Sequence, residues 1–317
     1  MAALGECKAR FAVFLSIHID DAEKHMTKPS VQYALNYAAD QGLDKADAEI
    51  LLAHVLQCNR ARFFAFPEQI ISAENYAAFY ALVDARATGE PVAYLTGQRE
   101  FYGLNFAVNA SVLSPRPETE LLVELALKLL PSGATELFDV LDLGTGSGAI
   151  ACALAHARAS LRILATDQSS QALALAQQNA QNLAQNQIQF ALGSWFDAVP
   201  LGRKFDLIAS NPPYLDAEDP HLRAGDLRFE PVNALTPAKV NPLDSDSGLT
   251  ALQHIIERAP LHLKYGAWLL LEHGFSQAAA VRCCFERYGF QEIATLRDYS
   301  ELDRVSYGRF FGHFSGS

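Results

Sequence analysis

Asn211-Pro212-Pro213-Tyr214 is the stretch of this chain best equipped for chemistry. It follows Phe205-Asp-Leu-Ile-Ala-Ser210, which reads as a buried parallel strand. Neither proline has an N–H, so the ladder cannot continue through them. The turn is locked extended, and the Pro212 carbonyl has no ladder partner. Asn211 adds a side-chain carbonyl beside it, and Tyr214 adds an aromatic wall. Two converging acceptors and a flat face suit a planar –NH2 group conjugated to a carbonyl or a ring. The plainer reading is an ordinary Pro-Pro loop.

A second stretch supplies what could react there. Val140-Leu-Asp-Leu-Gly-Thr-Gly-Ser-Gly-Ala-Ile150 runs from an apolar strand through a glycine-rich turn into a helix. Gly144, Gly146 and Gly148 let a ligand approach the backbone, and the helix N-terminus offers free N–H groups. The next strand, Leu161 to Thr166, ends on Asp167. That carboxylate falls about twenty residues beyond the turn, where ribose hydroxyls are held in such folds. Gly144-x-Gly146-x-x-Ala149 also fits a dinucleotide fingerprint, so a nicotinamide dehydrogenase must be weighed. Asp142 argues against it, since its charge would oppose a pyrophosphate but pair with an amino-acid ammonium. The Asn-Pro-Pro-Tyr turn has no task in hydride transfer. S-adenosylmethionine carries both an ammonium and an adenosine, and is the cofactor expected.

These residues resemble the seven-stranded S-adenosylmethionine-dependent methyltransferases, and the Asn-Pro-Pro-Tyr form resembles those acting on amide or exocyclic amine nitrogens. Ser114-Pro-Arg-Pro-Glu-Thr-Glu120, Arg228-Phe-Glu-Pro231 and Leu271-Glu-His-Gly274 are similar to motifs of the release factor glutamine methyltransferase family. The likeness runs from about Pro29 onward. It implies methylation of the side-chain nitrogen N5 of the glutamine in the Gly-Gly-Gln loop of bacterial peptide-chain release factors. It further implies Asn211, Pro212 and Tyr214 as catalytic residues. Asp142, Gly144 to Gly148, Asp167, Trp195 and Asn211 become cofactor contacts. Asn211 to Tyr214, with Arg116 and Glu118, become substrate contacts. No metal is expected. The sister family acting on a ribosomal large-subunit protein shares the catalytic tetrapeptide but fits less well at Pro115 to Glu120 and Leu271 to Gly274. A DNA adenine N6-methyltransferase would also recognise a conjugated –NH2, but it needs a basic duplex-binding region. A catalytically silent binding module of the same fold would not need an intact Asn211 to Tyr214.

Composition sets outer limits. The net charge is −11, from 25 basic and 36 acidic residues. That balance disfavours direct contact with nucleic acid and tolerates a basic protein partner. Half of the 317 residues are hydrophobic, enough for a substantial core and two domains. The five cysteines show no paired metal spacing, which fits free thiols in a cytoplasmic enzyme. No apolar run reaches membrane-spanning length. A monomer is expected.

The elements that must position the site follow from periodicity. The fold class is α/β: a Rossmann-like seven-stranded methyltransferase domain and a small N-terminal helical domain, joined by a β-hairpin. Residues 1–29 form an extension expected to be poorly ordered. Residues 30–89 form the helical domain, with Asp44 and Ser72 as N-caps. Phe63, Phe64, Phe66, Phe79 and Tyr80 are expected in its core. Residues 90–113 hold the hairpin, turning at Tyr102-Gly103, and 114–317 form the catalytic domain. Pro117 suits the first position of a helix. Strands are expected at Leu137–Leu143, Leu161–Thr166, Ile188–Leu192, Phe205–Ser210, Ala267–Glu272, Phe290–Arg297 and Arg304–Phe314, in a mostly parallel sheet with one antiparallel edge. Thr236 to Ser247 form a longer link than the family shows. His221 and His273 are expected to be structural.

Overall fold

The computed structural model describes residues 29–131, 137–223, 225–237 and 248–312, without the side chain of His221. The expectations for residues 1–28, for Cys7, for the His221 side chain, for 238–247 and for the strand end at Phe314 lie outside them. The chain divides into two compact units between Thr96 and Gly97.

The first unit is helical: Val31–Asp40, Lys45–Leu56, Ala61–Ala65, Ala73–Ala87 and Val92–Thr96. Ser30, Asp44 and Ser72 cap the three longer helices, each side chain accepting a backbone N–H of the first turn. The Val92–Thr96 helix belongs to this unit, so the helical part runs beyond Gly89. Val31, Leu51, Leu52, Phe63, Phe79 and Val83 form its core. Three of the expected core aromatics are outside it, and of these Tyr80 is half-buried and stacked on Tyr37. Phe64 is 69% exposed and Phe66 59%. The Ala61–Ala65 helix is barely one turn long, so only Phe63 points inward, and its neighbour is rotated by roughly 100°. Lys45 and Arg62 lie over the two exposed rings.

The second unit opens with the hairpin of β1 (Gln98–Phe101) and β2 (Leu104–Ala107). Tyr102 and Gly103 both have positive φ, as a two-residue turn of matching twist requires. A seven-stranded sheet follows: β3 (Phe138–Leu143), β4 (Leu161–Asp167), β5 (Ile188–Leu192), β6 (Phe205–Ser210), β7 (Leu263–Glu272), β8 (Phe290–Arg297) and β9 (Asp303–Phe310). Their spatial order is β5-β4-β3-β6-β7-β9-β8. The five strands from β5 to β7 are parallel, and β3 and β6 are almost wholly buried, as apolar runs in a two-faced sheet should be. The antiparallel strand is not at the edge. β8 leaves a place beside β7, and the tight return through Asp298–Leu302 brings β9 into it, antiparallel to both.

The chain reverses its direction of progress beside β3. β4 and β5 extend one way, and β6 and β7 the other. A crevice opens outside the carboxyl ends of the strands at such a switch point. Asp142, Asp167, Asn211 and Glu272 all stand at those carboxyl ends.

Candidate active site

A cleft of about 910 Å3, counting its open mouth, lies at this switch point. Gly144 to Ser147, Asp167, Trp195, Asn211, Pro213, Arg116 and Thr119 line it, with Asn233 and Ala234 at one side. Six separate segments thus converge, four of them from the carboxyl ends of β3, β4, β5 and β6. Asp142, Gly148, Pro212, Tyr214 and Glu118 are not among the lining residues.

The glycine-rich turn is held from both sides. Asp167 accepts the Gly146 N–H at 2.9 Å with one oxygen and the Ser169 N–H at 2.8 Å with the other. Burial pushes its pKa up, and those N–H bonds oppose the shift. A carboxylate has about four lone-pair positions, so capacity remains for ligand hydroxyls. Asn179, on the helix Ser170–Asn182, donates to the carbonyls of Ser147 and Ala107 and accepts the Ala107 N–H. One buried side chain thereby ties the turn to the hairpin. Nothing in the local sequence signals this role for Asn179, since its partners lie far along the chain.

Asp142 sits beneath the turn and is fully buried. Its Oδ2 accepts the Thr145 hydroxyl at 2.6 Å, and its Oδ1 has no hydrogen-bond partner among the described residues. Burial pushes its pKa up to about 7, the charge of Asp167 adding to the shift and Thr145 opposing it. The expected role as direct partner of an ammonium thus meets a carboxylate that shapes the turn from below.

The three glycines of the turn differ. Gly144 underlies Trp195, and a Cβ built there would come within 3.6 Å of the indole. Gly146 has open space. Gly148, at φ 81°, faces Ala176, which a Cβ would meet at 3.1 Å. Gly148→Ala is therefore expected to destabilise the fold by ~1–3 kcal/mol, from a sparsely populated φ together with the close contact. Gly146→Ala, at φ 55° and uncrowded, should cost less. Urea unfolding of both variants checks this, and equal losses would remove any role for the contact with Ala176.

Asn211 stands at one end of a chain of hydrogen bonds that runs into the buried Glu272. Its Nδ2 donates to Thr119 Oγ1 at 3.1 Å, Thr119 donates to Glu272 Oε2 at 2.6 Å, and the Tyr214 hydroxyl donates to Glu272 Oε1 at 3.2 Å. Glu272 is 1% exposed. Burial pushes its pKa up to about 7, while Thr119, Arg304 and Tyr214 pull it down. Burial and the charge of Glu272 hold the Tyr214 phenol above its ordinary range, so it stays a donor. Among the described residues no N–H reaches the Pro212 carbonyl. Thr119 and Glu272 lie within the recognisable motifs, but their link to Asn211 spans separations of 92 and 153 residues.

Arg116 lines the cleft and is also held in an ion pair. Its guanidinium pairs with Glu230 at 2.6 Å, and Glu230 also accepts the Ser114 N–H. Glu230 is buried, which pushes its pKa up against the pull of Arg116. The pair joins the Ser114 to Glu120 stretch to the Arg228 to Pro231 stretch. Glu118 is exposed. Trp195 is half-buried and has a positive φ of 46°, a conformation that side chains rarely adopt and that recurs at functional sites. His273 is fully buried between Ser306 and the Gly274 carbonyl, as a structural histidine would be.

Comparison with known proteins identifies the family. Residues 31–97 match the PrmC N-terminal domain model, and 119–229 match the methyltransferase small domain model. The release factor glutamine methyltransferase of Xylella fastidiosa (strain Temecula1) is 46% identical over 87% of this chain and 97% of its own length. This chain belongs to the release factor glutamine methyltransferase family. The Escherichia coli K12 member is 46% identical, over 84% of this chain and 92% of its own. The Shewanella oneidensis member is 44% identical, over 92% and 98%. Family membership accounts for the pairing of a helical unit with a methyltransferase unit. No helix among the described residues is long and apolar enough to cross a membrane.

Proposed function

We propose that the cleft binds S-adenosylmethionine, and that the chain methylates the N5 amide nitrogen of the glutamine in the Gly-Gly-Gln loop of bacterial release factors, in the cytoplasm. The observation that carries this reading is the Asn211 carboxamide at the cleft wall, with Nδ2 already engaged by Thr119 and Oδ1 left to accept. Family membership supports the choice of substrate. The residues fit the cofactor in three respects. Gly144 and Gly146 leave room at the backbone, Trp195 offers an indole over Gly144, and Asp167 retains acceptor capacity.

The bound cofactor supplies an electrophilic methyl. The nucleophile is the harder partner, because an amide nitrogen shares its lone pair with the carbonyl. Asn211 Oδ1 and the Pro212 carbonyl would accept the two N–H bonds and turn that lone pair towards the methyl. Holding two reactants in line contributes up to ~7–11 kcal/mol in favourable cases. The same acceptors stabilise the positive charge that grows on nitrogen, an oxyanion hole with its sign reversed. Tyr214, fixed by Glu272, stands as a wall behind the turn. The proton leaves after methyl transfer.

Tritiated S-adenosylmethionine offered with release factor, a ribosomal protein and DNA tests the substrate. Label mapped to the Gly-Gly-Gln glutamine is expected, and label only in the ribosomal protein or in adenine would overturn the reading. For the cofactor, Asp167→Ala should weaken S-adenosylmethionine binding roughly 10- to 150-fold, corresponding to ~1.5–3 kcal/mol for a bond to a charged group. Calorimetry showing unchanged affinity would contradict the role given to Asp167.

A further inference from the structure

We propose that Glu272, acting through the Thr119 hydroxyl, is a positioning residue that fixes which end of the Asn211 carboxamide faces the cleft. The inference rests on the methyl-transfer reading above and goes beyond it. An amide offers an acceptor at one end and two donors at the other, and the two ends have nearly the same shape. Only the oxygen can receive an N–H of the target. The nitrogen turned outward would set donor against donor and expel the substrate amide. Asn211 therefore needs a device that distinguishes its ends.

The hydrogen-bond chain is that device. Thr119 has a single hydroxyl proton. Its contact with Glu272 Oε2 is 2.6 Å, the length of a hydroxyl donating to a carboxylate. That proton is thus committed to Glu272, and Thr119 Oγ1 can only accept from Asn211. Asn211 must then present Nδ2 inward, at the observed 3.1 Å, and Oδ1 outward. The other carboxylate oxygen is occupied by Tyr214, so Glu272 orients both side chains of the tetrapeptide.

Loss of the charge on Glu272 reverses the logic. A protonated carboxyl would donate to Thr119, whose own proton would then turn to Asn211 and favour Oδ1 inward. The groups facing Glu272 are Thr119 and Glu118 from the preceding turn, Tyr214 from the tetrapeptide, and Arg304 from β9. Arg304 is paired with Asp298. Burial pulls the imidazole of His273, next in the chain, below its ordinary range. Burial dominates this set and places the Glu272 transition at about 7. Above that pH the carboxylate is charged and Asn211 is correctly turned, and below it the orientation is lost.

The test uses the full chain, release factor and S-adenosylmethionine. Glu272→Gln is expected to lower kcat at least about ten-fold with cofactor affinity held within about two-fold, the pattern of a group serving only the transition state. The fall in wild-type kcat as pH drops through about 7 should vanish in that variant. Thr119→Val should match it, whereas Thr119→Ser, which keeps the hydroxyl, should stay within about three-fold of wild type. In an Asn211→Ala background Glu272→Gln should have a much smaller effect than in the wild type, because neighbours acting as one unit are not additive. Thr119→Ser as slow as Thr119→Val, or Glu272→Gln with wild-type kcat and an unchanged pH step, overturns the proposal. A second readout does not depend on transfer. The 15N resonance of the Asn211 –NH2, assigned by its loss in Asn211→Ala, should move with pH near 7 in the wild type and stay fixed in Glu272→Gln. A resonance indifferent to pH in both overturns the proposal even if release factor is methylated. The expected shift without methylation of any release factor leaves the proposal standing and removes the substrate reading.

Discussion

Asn211→Ala lowers methyl transfer to an intact release factor by about 10²–10³-fold and leaves S-adenosylmethionine affinity within a few-fold. The magnitude is that of removing one oriented hydrogen-bonding group from a reaction centre, ~2.7–4 kcal/mol. The split between rate and affinity follows from geometry. The Asn211 backbone leaves β6 at Ser210, and its side chain is held by Thr119. The glycine turn and Asp167, which are assigned to the cofactor, come from β3 and β4. Truncating the carboxamide removes the acceptor for the target N–H without touching those elements. Single-turnover transfer measured beside calorimetric cofactor binding checks both halves. Wild-type turnover would sink the acceptor role, and loss of cofactor binding in parallel would make Asn211 a cofactor residue.

The second large effect concerns the helical unit. A pocket built around one planar amide cannot choose one glutamine among thousands, so selectivity must come from surface outside it. The helical unit offers such surface, including the exposed rings of Phe64 and Phe66 with Lys45 and Arg62 over them. Removing residues 1–96, at the boundary between the compact units, is expected to cut methylation of folded release factor by about 10²-fold or more, the lower end of what linked contacts provide. A short Gly-Gly-Gln peptide should be methylated nearly as before. Circular dichroism must first show the remaining unit folded. Equal loss on protein and peptide would assign the helices to support of the fold and not to choice of partner.

The parts of the site written in contiguous residues were legible from sequence. Glycine turn, Asp167 and the tetrapeptide each sit at a strand end, and strand-end position follows from local apolar runs and turn residues. Six of the seven expected strands agree with those observed at least in their core residues, and the seventh, β9, shares Arg304 to Phe310 with its expected range, starting one residue earlier at Asp303. What was illegible depends on pairing across the chain. The commitment of Arg116 to Glu230, and the route from Asn211 through Thr119 to Glu272, join residues whose local patterns say nothing of one another. The charge of Asp142 was readable from sequence, and its complete burial beneath the turn was not. Phe64 and Phe66 looked like core because aromatic residues usually are, and a helix of one turn has only one inward face. The position of β9 was hidden for a similar reason. Strand direction follows from loop length, but the gap it fills is decided by the crossover before it.

That gap has a consequence for synthesis. Before β9 is made, β7 carries an open row of backbone donors and acceptors, and β8 has no neighbour in the sheet. β9 also brings Arg304, whose backbone carbonyl accepts the His273 N–H beside Glu272. The electrostatic surroundings of the carboxylate that orients Asn211 are therefore finished by residues 303–310, after every residue lining the cleft has left the ribosome. At ~5–20 residues per second, the interval from Asn211 to β9 lasts several seconds. During it a nascent chain holds the tetrapeptide without its completed support.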